Sequence, residues 1–184
     1  MKKMAPSLST PMKFLALSMF FISIIYQDNA QFPTPNPNQT TMVFYLQDLA
    51  AGPNATVVAP VAGINGRVWS FTTFGSIFVV DFPVTLSISP ASELVGQAQG
   101  LLIASALDGA SVNVALSIVF NNLQYNGSTL ELQGISRRHE NYREVSVVSG
   151  TGKFRFARGY AVLETAFFDI SRSTLRLTIT IQTN

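Results

Sequence analysis

Few side chains in this sequence have the chemistry to act on a substrate, and carboxylates lead them. Asp48 continues the alternating row Met42, Phe44, Leu46, so it shares a strand face with apolar side chains at the end of that run. Desolvation there would raise its pKa and keep a proton available for general acid work. Asp81 closes the run Gly75-Ser-Ile-Phe-Val-Val80 in a similar way. For both, the plainer role is a strand-end carboxylate that accepts backbone N–H bonds in a turn. The single imidazole, His139, lies in Ser136-Arg-Arg-His-Glu-Asn141, the most charged stretch of the chain, which reads as a solvated loop and not as part of a Ser-His-Asp triad. Gly150-Thr-Gly152 has no helix after it to lend a dipole to a phosphate, and reads as a turn. Arg137, Arg138 and Arg143 are offset by Glu140 and Glu144, a poor anion patch. With no cysteine and one histidine, the chain has no thiolate zinc site, iron–sulfur cluster, disulfide or Cys nucleophile, and too few imidazoles for a copper or zinc oxidase. No metal and no cofactor is expected.

These groups must be held by a scaffold of 184 residues, enough for one domain with a real core. Hydrophobic residues make up 47%, charged residues only 12%, and there are 14 Phe, which excludes a disordered chain. The formal charge of +2 is concentrated in the first thirty residues, which hold Lys2, Lys3 and Lys13 but only Asp28 among the acids. The remainder is balanced, so nothing supplies the basic footprint that binding nucleic acid requires.

Lys2, Lys3 and Lys13 precede the unbroken run of low polarity Phe14–Tyr26. A spanning helix needs about 20 apolar residues. The run is shorter, and its layout is that of a secretory signal ending near Ala30 and not of a membrane anchor. Residues 31–41 follow as a Pro-rich extended tail. Asn38-Gln-Thr40, Asn54-Ala-Thr56 and Asn126-Gly-Ser128 are glycosylation sequons, made relevant by the signal. The expected product is a secreted glycoprotein whose domain spans 42–184.

Within that domain the dominant period is two. Leu175, Leu177, Ile179 and Ile181 alternate with Arg176, Thr178, Thr180 and Gln182, and Val112 to Phe120 alternate likewise. Further strand-like runs are Met42–Leu49, Phe74–Val80, Leu94–Ala106, Thr129–Ile135, Arg143–Val148 and Gly159–Phe168. Asn126-Gly127, Gly150-Thr-Gly152 and Leu107-Asp-Gly109 punctuate the turns. Eight antiparallel strands with short connections predict an all-β domain, an up-and-down barrel or a two-sheet sandwich. Phe74–Val80 and Ala161–Phe168 are apolar on both faces, as a wall packed against another subunit would be.

Five motifs then occur in order: Phe74-Gly-Ser-Ile-Phe-Val-Val-Asp81, Val95-Gly-Gln-Ala-Gln-Gly100, Tyr125-Asn-Gly-Ser-Thr-Leu130, Arg143-Glu-Val-Ser-Val-Val-Ser-Gly-Thr-Gly152 and Phe154-Arg-Phe-Ala-Arg-Gly-Tyr-Ala161. From about Met42 to Gln182 the chain closely resembles the plant dirigent family. The resemblance implies an eight-stranded antiparallel β-barrel of the calycin and allene-oxide-cyclase kind, a homotrimer, and secretion into the cell wall space. It implies a protein without a redox centre of its own: a separate laccase or peroxidase makes phenoxy radicals from a monolignol such as coniferyl alcohol, and the dirigent protein directs stereoselective coupling to a lignan. It also implies a cofactor-free cyclase acting on quinone methides; a passive carrier of a hydrophobic molecule is a further alternative, from the binding class. Asp48 matches the pocket aspartate of the family, Arg143 the arginine of its Arg-Glu/Asp motif, and Thr165 a pocket threonine. Asp81 and Arg158 fall in the family motifs as structural positions. Four departures stand out: Gln47 where the family commonly has His, Asp81-Phe-Pro-Val-Thr85 where its pattern is Asp-Asp-Pro-Leu-Thr, Leu102 where many members carry a pocket tyrosine, and Ser136 at the place of a second pocket aspartate.

Overall fold

The computed structural model describes residues 38–50, 54–56, 62–68 and 70–182. The signal expected over 1–30 and residues 31–37 of the tail lie outside the described residues. The strands are β1 (Gln39–Leu49), β2 (Ile77–Thr85), β3 (Leu94–Ala104), β4 (Ser111–Phe120), β5 (Thr129–Arg137), β6 (Arg143–Gly150), β7 (Gly159–Phe168) and β8 (Arg172–Gln182). Each pairs antiparallel with its neighbours in sequence, and β8 returns to β1 from Gln39↔Gln182 to Leu49↔Arg172. The sheet is therefore a closed barrel and not a sandwich, with no exposed edge. One 3₁₀ turn, Gly152–Phe154, follows β6 where the sequence places a turn.

The alternation read from the sequence sets which face is inside. Val112, Val114, Leu116, Ile118 and Phe120 are all buried, as are Leu177, Ile179 and Ile181. Each such side chain contributes about 1.5–3 kcal/mol by leaving water. One end of the barrel is plugged by aromatic rings. Phe120 lies 5.6 Å from Phe44, 5.4 Å from Tyr125 and 5.2 Å from Phe154, centroid to centroid. Gly127, in the connection before β5, has φ +75, the conformation for which the Asn-Gly pair is suited.

Several boundaries differ from those read in the sequence. β1 begins at Gln39, so Gln39, Thr40 and Thr41 are strand and not tail. β2 starts at Ile77 and runs through Pro83 to Thr85, so Asp81 stands mid-strand and does not close it. Proline is tolerated there because the β1–β2 ladder is short, pairing only Tyr45↔Thr85 and Leu46↔Val84. Two residues earlier, the Asp81 N–H turns away from β3 to the Thr56 carbonyl at 2.9 Å. By strand parity the missing donor of Pro83 faces the same side, where pairing with β1 has stopped. Thr56 fills that opening: its N–H donates to the Leu49 carbonyl at 3.0 Å, and its hydroxyl accepts from the Leu49 N–H at 2.7 Å.

Candidate functional site

Up-and-down pairing gathers the ends of β1, β3, β5 and β7 and the starts of β2, β4, β6 and β8 at the end opposite the aromatic plug. There the core side chains stop short and leave a cavity of about 510 Å³, within the range of small-molecule sites. Leu46, Phe82, Leu102, Val114, Leu116 and Leu163 make its walls largely apolar. Five residues singled out from the sequence line this same cavity: Asp48, Leu102, Ser136, Arg143 and Thr165.

Asp48 stands near the end of β1 opposite its register partner Ser173 on β8. The Ser173 hydroxyl donates to Asp48 Oδ2 at 2.9 Å, and Oδ1 is out of solvent with no hydrogen-bond partner among the described residues. Burial pushes the carboxyl above its ordinary value, and the Ser173 and Thr56 hydroxyls oppose the shift without cancelling it. The result is a carboxyl that keeps its proton more readily than a solvated aspartate and has one oxygen unengaged. It is not the strand-end acceptor of backbone N–H groups that the plainer reading supposed.

Arg143 and Thr165 form the second polar group. Arg143 opens β6 and donates through Nη2 to Thr165 Oγ1 at 2.9 Å and through Nε to the Leu163 carbonyl at 3.4 Å. Half-burial lowers the guanidinium pKa, which still leaves it charged. The Thr165 hydroxyl accepts from Arg143 and so retains its own hydrogen for a ligand. A bulge between Thr165 and Phe167 in the β7–β8 ladder adds Ala166 to the strand. With strict alternation Phe168 would face away from Thr165; the extra residue flips the parity, and both line the cavity.

The departures from the family pattern are spread over several strands. Ser136 is buried at the end of β5, register partner of Val112, and offers a hydroxyl where a carboxylate would give a second acid. Leu102 presents an apolar wall on β3. Gln47 points away from Asp48 and is buried: its Nε2 donates to Thr85 Oγ1 at 2.9 Å and its Oε1 accepts from the Thr174 hydroxyl at 3.0 Å. It ties β1 to β2 and β8 and does not border the cavity.

Other candidates lie elsewhere. Asp81 is exposed on the outer wall and accepts from Gln99 Nε2 at 3.3 Å, so it is not a strand-end carboxylate. Arg158 is exposed beyond the 3₁₀ turn at the plugged end, where its Nη1 donates to the Ala157 carbonyl at 3.0 Å. His139 is exposed between β5 and β6 and borders only a shallow depression beside the cavity. Asn38, Asn54 and Asn126 are exposed. The sequence reading missed Ser173, Arg138, Phe71 and Phe168 as cavity residues. Phe71 belongs to the β1–β2 connection and stacks on Phe78 at 3.8 Å, a contact between segments that periodicity does not register.

Residues 39–182 match the family model described as dirigent-like protein. The chain belongs to the dirigent family. It is 38% identical over 130 residues to dirigent protein 23 of Arabidopsis thaliana, covering 71% of this chain and 69% of that one. It is 32% identical over 171 residues to dirigent protein 11 of the same plant, covering 86% and 88%. Pterocarpan synthase 1 of Glycyrrhiza echinata is 36% identical over 123 residues, covering 66% and 65%. Among solved structures, the pterocarpan synthase dirigent protein GePTS1 superposes with a TM-score of 0.73 at 31% identity, over 79% of this chain and 85% of its own. The dirigent barrel is thus this chain's fold, and the cavity is the place to seek its activity.

Proposed function

We propose that this dirigent protein binds a phenolic quinone methide in its cavity and directs one stereospecific ring closure without a cofactor. The observation that carries the reading is the single uncharged-prone carboxyl, Asp48, in an apolar cavity whose opposite wall offers Ser136 in place of a second acid. Asp48 gives its proton to the quinone methide carbonyl oxygen as a hydroxyl of the same ligand adds to the exocyclic carbon. A C–O bond forms, the π electron pair moves onto the former carbonyl oxygen, which becomes a phenol, and the hydroxyl's proton restores the carboxyl. The sum is an isomerisation, so no oxidant is consumed. Leu46, Phe82, Leu102 and Leu163 fix which face is attacked by holding the ligand in one orientation. Relatives named pterocarpan synthase, in sequence and in structure, support a ring-closing role.

A second reading keeps the oxidative partner: a laccase or peroxidase makes monolignol radicals, and the cavity directs their coupling toward a lignan. The relatives named dirigent proteins favour it. In either role we propose secretion to the cell wall space, glycans at Asn38, Asn54 and Asn126, and a homotrimer. The outward Val79 and Leu101, cross-strand partners at 39% and 40% exposure, are suited to a subunit contact.

The test is chiral chromatography of products from two mixtures: a quinone methide generated chemically with no oxidase, and coniferyl alcohol with a laccase. Enantiomeric excess in the first mixture, lost by about 10²-fold in rate in Asp48→Asn, is the expected result. Excess only in the second establishes the coupling role. Racemic products in both, despite binding, leave a passive carrier.

A further inference from the structure

The sequence sets Arg137, Arg138 and Arg143 against Glu140 and Glu144, and the balance disappears in space. Glu140 lies 3.7 Å from Arg137, both exposed. Glu144 follows Arg143 on β6, so it faces outward and is exposed. Glu164 is held by Arg176 at 3.0 Å. Arg138 and Arg143 are left on the cavity wall, and neither has an ion-pair partner among the described residues. Glu140 and Glu164 border the adjoining depression, each already engaged by another arginine.

The position of this pair relative to Asp48 is fixed by topology. Asp48 stands on β1; Arg138 directly follows β5, and Arg143 opens β6. In a closed barrel of eight strands, β1 and β5 are four places apart and so face each other. A proton donor on β1 thus faces the wall that carries Arg138, with Arg143 on the neighbouring β6 and apolar side chains between.

We propose that the ligand of this cavity carries a carboxylate at the end remote from its phenolic oxygen, and that Arg138 with Arg143 selects for it. The ligand class is a phenolic quinone methide of hydroxycinnamate type, reaching the cavity already oxidised and bearing a free carboxylate, in preference to the counterpart with a hydroxymethyl group. A guanidinium fork matches a carboxylate in geometry and in charge. In this orientation the phenolic oxygen reaches Asp48, as the proposed ring closure requires, so the inference rests on that reading of the cavity.

The test uses a matched pair of probes, ferulate and coniferyl alcohol, which share one ring and differ in a carboxylate against a hydroxymethyl group. Affinities are measured by calorimetry at near-neutral pH for the full mature chain and for Arg138→Gln and Arg138→Lys. Ferulate is expected to bind about tenfold more tightly, the order of one charge-assisted hydrogen bond. The ratio should fall toward one in Arg138→Gln, persist in Arg138→Lys, and shrink as salt is raised. Equal affinities in the unaltered chain overturn the selection for acids, a ratio unmoved by Arg138→Gln overturns the part given to Arg138, and either result leaves the phenolic cavity standing. Failure of both probes to bind overturns the cavity reading itself, and this inference with it.

Discussion

At the scale of single residues, the feature that suits Asp48 to proton transfer also makes it a burden on the fold. Its pKa in the folded chain is raised above the ordinary carboxylate value of 3.8, chiefly by burial, so the folded state holds the proton more tightly than the unfolded state. The associated stability is complete below pH 3.8 and is lost as pH rises through the raised value. Asp48→Asn removes that titration. The variant should melt at a higher temperature than the parent at pH 7, with the gap closing as both are moved toward pH 4, in parallel thermal scans. Ring closure should fall over the same rise in pH as the acid ionises. Asp48 was legible in the sequence because its parity with Met42, Phe44 and Leu46 put it on the inner face. Arg138 was not, because neighbours in sequence cancel its charge while the strands turn those neighbours elsewhere. Gln47, adjacent to Asp48, was read as a change at the site and proves to be a buried tie between strands.

At the scale of elements, two irregularities shape the cavity. The added Ala166 brings Phe168 to the rim, and no pattern of alternation announces an extra residue. The second lies where the β3–β4 turn meets the β1–β2 connection. Gly109 has φ +73, and a Cβ placed there would stand 2.5 Å from the Thr72 carbonyl oxygen. That approach seats the segment carrying Phe71 over Phe78. Gly109→Ala should cost about 1–2 kcal/mol for the left-handed backbone alone, measured by urea unfolding. It should also weaken binding of a phenolic ligand several-fold, because the segment bearing Phe71 must lift. Leu107-Asp-Gly109 was legible as a turn from its residues; its contact with a distant connection was not.

At the scale of the whole molecule, period-two patterning and short runs apolar on both faces together mark all eight strands, and closure decides between the two architectures that they allow. The largest error, in β2, arose from reading Phe74-Gly-Ser as strand and ending the run at Val80. The apolar run stops at Asp81, but the backbone stays extended and paired with β3 through Thr85. The short β1–β2 ladder also has a kinetic meaning. A ring of strands must part somewhere before water can reach its interior, and here the parting line runs through Thr56, beside the strand that carries Asp48. The amides of Leu49, Thr56 and Asp81 should exchange with deuterium sooner than those of the long β1–β8 ladder, as read by exchange mass spectrometry. Each such opening wets Asp48 and lets its carboxyl drift back toward an ordinary acidity, so the acid is armed only while the clasp is shut. A molecule filling the cavity would slow that exchange, making the clasp a reporter of occupancy at a distance from the ligand itself.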